Sequence, residues 1–481
     1  MRNAKRLLAL TVALASVMSF AACGKNDSST AGASSVAGVD LESSQVQNIV
    51  DAASSALTGG DSEVEKLENP TVQWISHYDI NPADGKVEDP AIALFRETYG
   101  GEIEWVQTDW NSRYTKLASL VSADTSPDMF PADDMDAFPM GAIKQMFQPI
   151  DSALDLSEDI WADQQEAIDK FSFAGGHYVA VIETQPNLIC LYNTETIDEM
   201  GLDQPADLYW NGEWTWEVFY DYCVKFNDPE NDKYALDGFW WWDGLTQTTG
   251  LSYIDIVDGK VVSNVGDPLI EEAQNFVYDL TKAGSAFPRH LNNWATRGPT
   301  DSGSIGLGSG LTLFIPVGPY EIEDTLANTE DLGSIPDGEV MFVPLPAMKE
   351  DAETYMPSRV NGYCLVTGAK NPEGYAAFMR CKKICATDES IRQIGIDTLT
   401  NDYGWTEEML EMREECYRLS QEKPVFEFYN AISQDMSSVF GTLATGTSVT
   451  NGEQKTWAEL REANMATVDY FVDDINAKFQ K

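Results

Sequence analysis

Thr71-Val-Gln-Trp-Ile-Ser76 reads as a strand, Pro90 to Tyr99 as a helix closed by Gly100-Gly101, and Glu102 to Gln107 as a second strand. Tyr114, Leu117, Leu120 and Val121 then recur at helical spacing, and Ser126-Pro-Asp-Met-Phe-Pro-Ala-Asp133 turns into a third, short apolar strand. Strand and helix in alternation imply an α/β layer structure. Three later helices are marked by their starts. Thr215 can cap one with Phe219, Tyr222, Cys223 and Phe226 on its apolar face. Asp267-Pro268 opens another, with Leu269, Ala273, Phe276, Val277 and Leu280 on one side and Gly284 beyond it. Asn371-Pro372 opens a third, carrying Tyr375, Phe378 and Met379, and Trp457, Leu460, Val468, Phe471, Val472, Ile475 and Phe479 form an apolar stripe at the C-terminus. There is no internal repeat of solenoid type.

Residues 1–22 read as a signal peptide. Arg2, Lys5 and Arg6 make a basic start, and Leu7 to Ala22 is an uncharged stretch short for a membrane span. Phe20-Ala21-Ala22-Cys23-Gly24 resembles a bacterial lipobox, which implies that Cys23 becomes a lipidated first residue. The expected location is the cell surface or periplasm, anchored to the membrane through Cys23. An ordinary signal peptide with Cys23 merely nearby is the alternative. Residues 23–69, rich in Ser, Ala, Gly, Asp and Glu, read as a flexible tether, in which Val46, Ile49, Val50, Ala53 and Leu57 have the spacing of one short helix.

The 481 residues suit two large lobes, and their 43% hydrophobic content is that of a folded globule. The formal charge is −47, and losing Arg2, Lys5 and Arg6 takes it to −50. Such a surface excludes a basic footprint for nucleic acid or a polybasic patch for anionic lipid, and suits neutral ligands. Cys190, Cys223, Cys364, Cys381, Cys385 and Cys416 lie mostly in apolar stretches and read as buried free thiols. Neither a metal site nor a cofactor is expected. His77, His177 and His290 stand alone, with no His-Glu-x-x-His. Ser304 and Ser309 lack the glycines of a nucleophile elbow, and no phosphate-binding Gly-x4-Gly-Lys-Ser/Thr occurs. Asp228-Pro-Glu-Asn-Asp232 has Lys233 and Phe239 where a calcium loop needs Gly and Glu. Paired acids of the glycoside-hydrolase kind stay open, because carboxylate pairs abound.

Five segments, in order, resemble the sugar-type family 1 of extracellular solute-binding proteins of ABC importers. They are Leu117 to Phe130; Gly176-His-Tyr-Val-Ala-Val181 with Leu188-Ile-Cys-Leu-Tyr-Asn193; Glu213-Trp-Thr-Trp-Glu-Val-Phe219; Val343-Pro-Leu-Pro346 with Asn361-Gly-Tyr-Cys-Leu-Val366; and Lys370-Asn-Pro-Glu-Gly-Tyr-Ala-Ala-Phe378. Tyr209-Trp-Asn-Gly-Glu213 is longer and more aromatic than the family's pattern, and Leu311 to Pro319 replaces its usual segment. The resemblance implies a two-lobe periplasmic-binding-protein-like α/β fold with hinge strands and an interlobe ligand cleft. The expected division is 70–185 plus 311–358 for the N-terminal lobe and 186–310 plus 359–481 for the C-terminal lobe. Crossings are expected near Glu183 to Asn187, Gly310 to Pro316 and Arg359 to Asn361. The implied function is capture of a neutral carbohydrate, an oligosaccharide, by hinge closure, and its delivery to membrane permease subunits by a monomeric, non-catalytic receptor. A surface-anchored glycan-active enzyme or adhesin, and a peptide receptor of the same fold, are the alternatives.

A sugar has apolar C–H faces and a rim of hydroxyls, so its site needs aromatic plates and planar hydrogen-bonding groups. Trp240-Trp241-Trp242 is the most unusual local feature. If extended, Trp240 and Trp242 share one face, lining the cleft or packing the core beneath it. Trp110 follows a strand, and Trp294 and Trp405 sit in polar loops. Glu183 lies at the first expected crossing and Asp133 just past a strand end, although either is equally a solvated carboxylate among 78 acids. Arg359, Asn361 and Tyr363 flank the last expected crossing, Tyr320 and Glu321 follow the middle one, and His77 and Tyr78 follow the first strand.

Overall fold

The computed structural model describes residues 43–58, 64–81, 88–238, 240–289, 306–323, 332–448 and 453–479. Its strands are β1 (Thr71–Ser76), β2 (Glu102–Gln107), β3 (Met129–Pro131), β4 (Ser172–Phe173), β5 (Gly176–His177), β6 (Ala180–Pro186), β7 (Ile189–Asn193), β8 (Tyr234–Leu236), β9 (Ile254–Val257), β10 (Lys260–Ser263), β11 (Thr312–Val317), β12 (Val340–Val343), β13 (Met356–Leu365) and β14 (Pro424–Val425). The anticipated helix starts hold the caps their residue types suggest. Asp89 accepts from Ala91 N at 2.8 Å, Asp267 from Leu269 N at 2.8 Å, Asn371 from Gly374 N at 2.8 Å, and Thr215 from Val218 N at 3.5 Å. Gly100 ends the first of these helices at φ 69°, a left-handed turn open to glycine.

Two sheets organise the chain. In the first, β1 lies between β2 and β3, parallel to both, and β13 runs antiparallel to β3 and β6. In the second the order is β12-β7-β11-β8, with β7 antiparallel to both neighbours and β8 parallel to β11. Phe95 and Phe378 pack helices onto the first sheet at 5.3 Å between ring centroids, and Phe219 stacks on Phe314 of the second at 4.9 Å.

These pairings group the chain differently from the expected division of 70–185 plus 311–358 and 186–310 plus 359–481. Strand β11, expected in the N-terminal lobe as a crossing, is a central strand of the second sheet. Strand β13, expected to leave the N-terminal lobe at residue 359, is central to the first sheet. The chain passes between sheets at Asn187–Leu188 and between β12 and β13, and after β14 it leaves the first sheet for the C-terminal helices, the last of which packs on β10. The expected crossings at 310–316 and 359–361 therefore fall on the turn into β11 with β11 itself, and inside β13. The three passages lie beside one another. Asn187 N donates to Pro357 O at 2.7 Å, Met356 N to Lys423 O at 3.0 Å, and β13 is in register with Pro186 on one strand and Pro424 on another. Each proline withholds one backbone donor from this ribbon.

The tether reading needs a correction. Residues 1–42 lie outside the described residues, but Ser43–Thr58 is a helix docked on helices Pro90–Tyr99, Pro372–Thr387 and Glu389–Asn401. Ile49 and Ala53 are wholly buried there. The helical spacing noted in this stretch is a core-facing stripe, and residues 43–58 belong to the globule. Among the described residues all six cysteines are free thiols, and five are buried. No described helix is long and apolar enough to cross a membrane.

The third passage carries a half-buried acid. Glu427 accepts from the backbone N–H of Tyr253 (2.8 Å), Ile254 (3.1 Å) and Tyr429 (3.1 Å). Nearby, Tyr429 donates its hydroxyl to Asp243 at 2.9 Å, and the other Asp243 oxygen is buried without a partner. Burial pushes the Asp243 carboxyl up to about 7, against the Tyr429 hydrogen bond.

Two outcomes follow for stability. Ile49→Asp should lower the unfolding free energy by about 3 kcal/mol in urea titration, because it buries a charge where the first helix docks. The folded chain keeps a proton on Asp243 that the unfolded chain releases above about pH 4. Asp243 therefore favours folding at low pH and loses that contribution as pH rises to about 7. Relative to wild type, Asp243→Asn should gain on the order of 2 kcal/mol between pH 4.5 and 8, and an unchanged difference would contradict the assignment.

Candidate functional site

Parallel strands place their following loops at one sheet edge, and ligands of α/β proteins bind outside those carboxyl ends. Here β1 runs into His77 and Tyr78, β2 into Trp110, and β3 into Asp133, Asp134 and Asp136. In the second sheet the parallel pair β8 and β11 runs into Asp237-Gly238 and Gly318-Pro319-Tyr320. The two groups meet at Arg359 of β13, whose guanidinium carbon lies 5.7 Å from the Tyr320 ring centroid.

The first-sheet group is a connected constellation. Tyr78 donates its hydroxyl to Asp133 Oδ2 at 2.9 Å. The Tyr78 loop is itself fixed by Trp74 Nε1 donating to Tyr78 O at 3.1 Å. Asp133 Oδ1 is left buried with no partner. His77 meets Tyr78 and Trp110 edge-on, each at 4.9 Å between centroids, and its Nδ1 is also buried and unpartnered. Burial, then the charge of Arg113, lowers the His77 pKa against the pull of Asp133, so the ring is neutral at neutral pH. Arg359 Nε is a third buried, unpartnered polar atom. Burial disfavours the Arg359 charge, but the fields of Asp133 and then of Tyr417 and Tyr320 outweigh it and keep the guanidinium charged. Burial and the charges of Asp133 and Asp136 raise Asp134 well above the usual carboxylate range.

Beside this lies a second cluster at the junction of the sheets. Arg413 Nε donates to Glu323 Oε1 at 2.6 Å, and the Tyr417 hydroxyl donates to Glu323 Oε2 at 3.1 Å. The Arg413 guanidinium also covers the Tyr417 ring at 4.2 Å. Glu323 follows β11, whereas Arg413 and Tyr417 belong to helix Glu407–Glu422, which packs on β6 and β13, so these contacts tie the two halves. Glu183 of β6 is half-buried, in register with Asn361, and accepts from Gln185 at 3.0 Å. Burial raises its pKa against the Gln185 hydrogen bond and the Arg413 charge.

Of the residues singled out in the sequence, His77, Trp110, Asp133, Tyr320 and Arg359 come together, with Glu183 and Asn361 on the adjoining strands. Others go elsewhere. A helix begins at Trp241, with Trp240 before it at φ 61°, so strand alternation does not apply to the tryptophan run. Trp240 is half-buried beyond β8, while Trp242 is buried in the first helical turn. Tyr363 is a core residue between Trp74 and Phe378, at 5.6 and 6.5 Å. Trp405 is buried against Phe342 of β12 at 5.7 Å. Trp294 lies outside the described residues. Arg113, Asp134, Asp136, Glu323, Arg413 and Tyr417 were not anticipated. The acid-rich run Asp133-Asp134-Met135-Asp136 directly after a strand was the available signal for two of them; the helix residues Arg413 and Tyr417 carried none. No group of metal-ligating side chains occurs among the described residues.

The model of the bacterial extracellular solute-binding protein family matches residues 80–381. No curated protein matches the chain. Among solved structures, the fold is similar to an ABC substrate-binding protein from Listeria monocytogenes in complex with cycloalternan, at 16% identity and TM-score 0.59, over 87% of this chain and all of that one. It is likewise similar to the galacto-N-biose-/lacto-N-biose I-binding protein of Bifidobacterium longum, at 13% identity and TM-score 0.58, over 85% and 98%. The GacH receptor of Streptomyces glaucescens, solved unliganded and with acarbose, matches at 17% identity and TM-score 0.57, over 85% and 100%. These identities speak for a shared fold, and the family match spans more than half of the sequence. The chain belongs to the bacterial extracellular solute-binding proteins.

Proposed function

We propose that this protein is the receptor of an ABC importer that captures a neutral carbohydrate, an oligosaccharide, between its lobes and hands it to membrane permease subunits. The observation that carries this reading is the set of buried, unpartnered polar atoms: Asp133 Oδ1, His77 Nδ1 and Arg359 Nε. An acceptor and a donor left over in one cleft suit a ligand whose groups both donate and accept, as a hydroxyl does. A purely anionic ligand would leave Asp133 opposed, and a purely cationic one would oppose Arg359. Trp110, Tyr320 and Tyr78 supply ring surface for the C–H faces of a sugar. Capture leaves every bond of the sugar intact, so the protein acts as a binding protein, as a monomer and without a cofactor. Cys23 carries the lipid anchor, and the chain from residue 24 to the first helix is the tether.

Calorimetric titration of the purified protein with maltotetraose, lacto-N-biose, β-1,6-galactobiose and cycloalternan tests this, alongside a peptide mixture. At least one sugar should bind at micromolar Kd or tighter and be recovered intact. Asp133→Ala should weaken that binding about 30-fold, the effect of one charged hydrogen bond. Binding of peptides alone, or release of shorter sugars, would replace this reading with a peptide receptor or a glycan-active enzyme.

A further inference from the structure

We propose that Arg113 is the positioning residue of the cleft: it clamps Trp110 so that a single face of the indole is presented to a saccharide. The inference rests on the carbohydrate reading above for what Trp110 grips, but the clamp itself is a property of the unliganded chain. Trp110 stands in the short turn between β2 and helix Arg113–Ser122. That turn is pinned by Asp109, which accepts from Ser112 N at 3.0 Å and from the Ser112 hydroxyl. A tryptophan in such a turn still has free side-chain torsions, so something must fix its ring if it is to serve as a plate.

Arg113 does so at three points. Its guanidinium carbon sits 3.5 Å from the Trp110 ring centroid, which places the group flat against one face. One Nη donates to the backbone carbonyl of Trp110, and the other donates to Asp136. The Arg113 side chain is only 5% exposed, and Tyr114 completes the brace by donating its hydroxyl to the second Asp136 oxygen. Asp134 adds a more distant carboxylate at 4.0 Å. On another side His77 meets the Trp110 ring edge-on at 90°. Arg113 thus covers one face of the indole, the His77 ring stands perpendicular to it, and Trp110 stays partly exposed, which leaves ring surface for a ligand. A planar cation can cover a ring while its edge bonds a carbonyl and a carboxylate; a lysine ammonium is a point charge and cannot do all three. Arg113→Lys therefore keeps a charge for Asp136 but releases the ring. Arg113→Met combined with Asp136→Asn removes the two charges of that pair together and serves as a second variant in which neither member is left without the other.

Two readouts test the clamp. In the first, the protein is labelled with 5-fluorotryptophan, and the Trp110 fluorine signal is identified by its loss in Trp110→Phe. Arg113→Lys and the double variant should each shift and broaden that signal in the absence of any sugar, with the other tryptophan signals unmoved. An unchanged Trp110 signal would overturn the clamp. In the second, the sugar of the panel above that binds wild type most tightly is titrated into four proteins. Arg113→Lys should weaken binding about 10-fold in the wild-type background and less than about 2-fold in a Trp110→Ala background. An equal loss in both backgrounds would show that Arg113 acts other than through Trp110 and overturn the assignment. If none of the panel sugars binds wild type, the carbohydrate reading fails, and the fluorine signal decides the clamp on its own.

Discussion

One chain has to build two sheets, pass between them twice and leave the first a third time for the helices beside the second, and the rest of the structure depends on how those passages are held. Pro186, Pro357 and Pro424 sit at these passages, in β6, β13 and β14. Each lacks an amide hydrogen and so withholds one donor there. The halves are each packed under aromatic and aliphatic side chains, and the joint between them is narrow, with its passages side by side. Hinge closure of two such bodies is a small change of torsion at a few residues and needs no repacking of either core.

The same topology sets where chemistry can occur. With β1, β2 and β3 parallel, their outgoing loops collect on one edge, and β8 with β11 do the same in the other sheet. Polar groups gather there that would be costly inside a core. A buried donor or acceptor without a partner costs about 1–3 kcal/mol. The cleft holds several, among them Asp133 Oδ1, His77 Nδ1 and Arg359 Nε. Their persistence at one place, where elements of both halves meet, fits groups kept ready for a ligand. Tyr78 and Arg113 are the complement. Each uses its own hydrogen bonds to fix the orientation of a neighbour, Asp133 in one case and Trp110 in the other. A neighbour fixed in this way loses less conformational freedom on meeting a partner.

Much of this was readable from local pattern. Strands β1 to β3, the capped helices and the buried thiols announced themselves by period, cap residue and composition, because those signals act within a few residues. Pairing partners did not. The apolar runs at 312–317 and 356–365 have the same look, yet the first pairs with β7 and β8 and the second with β3, β6 and β14. Period specifies a strand and not its neighbour, so the lobe division read from order alone misplaced both. The tryptophan run misled for a related reason. Alternation applies to extended chain, and Trp240 sits at φ 61° before a helix. The Ser43–Thr58 helix showed its spacing, but its Ser/Ala-rich composition gave no sign that it docks on the globule. Arg413 and Tyr417 reach the junction from a helix that begins more than 80 residues after Glu323. Tyr363 shows the converse: it lies in β13, four residues from Arg359, and is nonetheless a core residue.

The central claim is that one ligand touches both halves at the facing strand ends. Hydrogen exchange on the purified protein, with and without a saturating neutral oligosaccharide, tests it most directly. Sugar should slow exchange at residues 77–79, 109–114 and 132–136 from the first sheet and at 318–323 from the second, together with 357–361 between them. Protection confined to one sheet's segments, or to a surface away from all of them, would contradict the account.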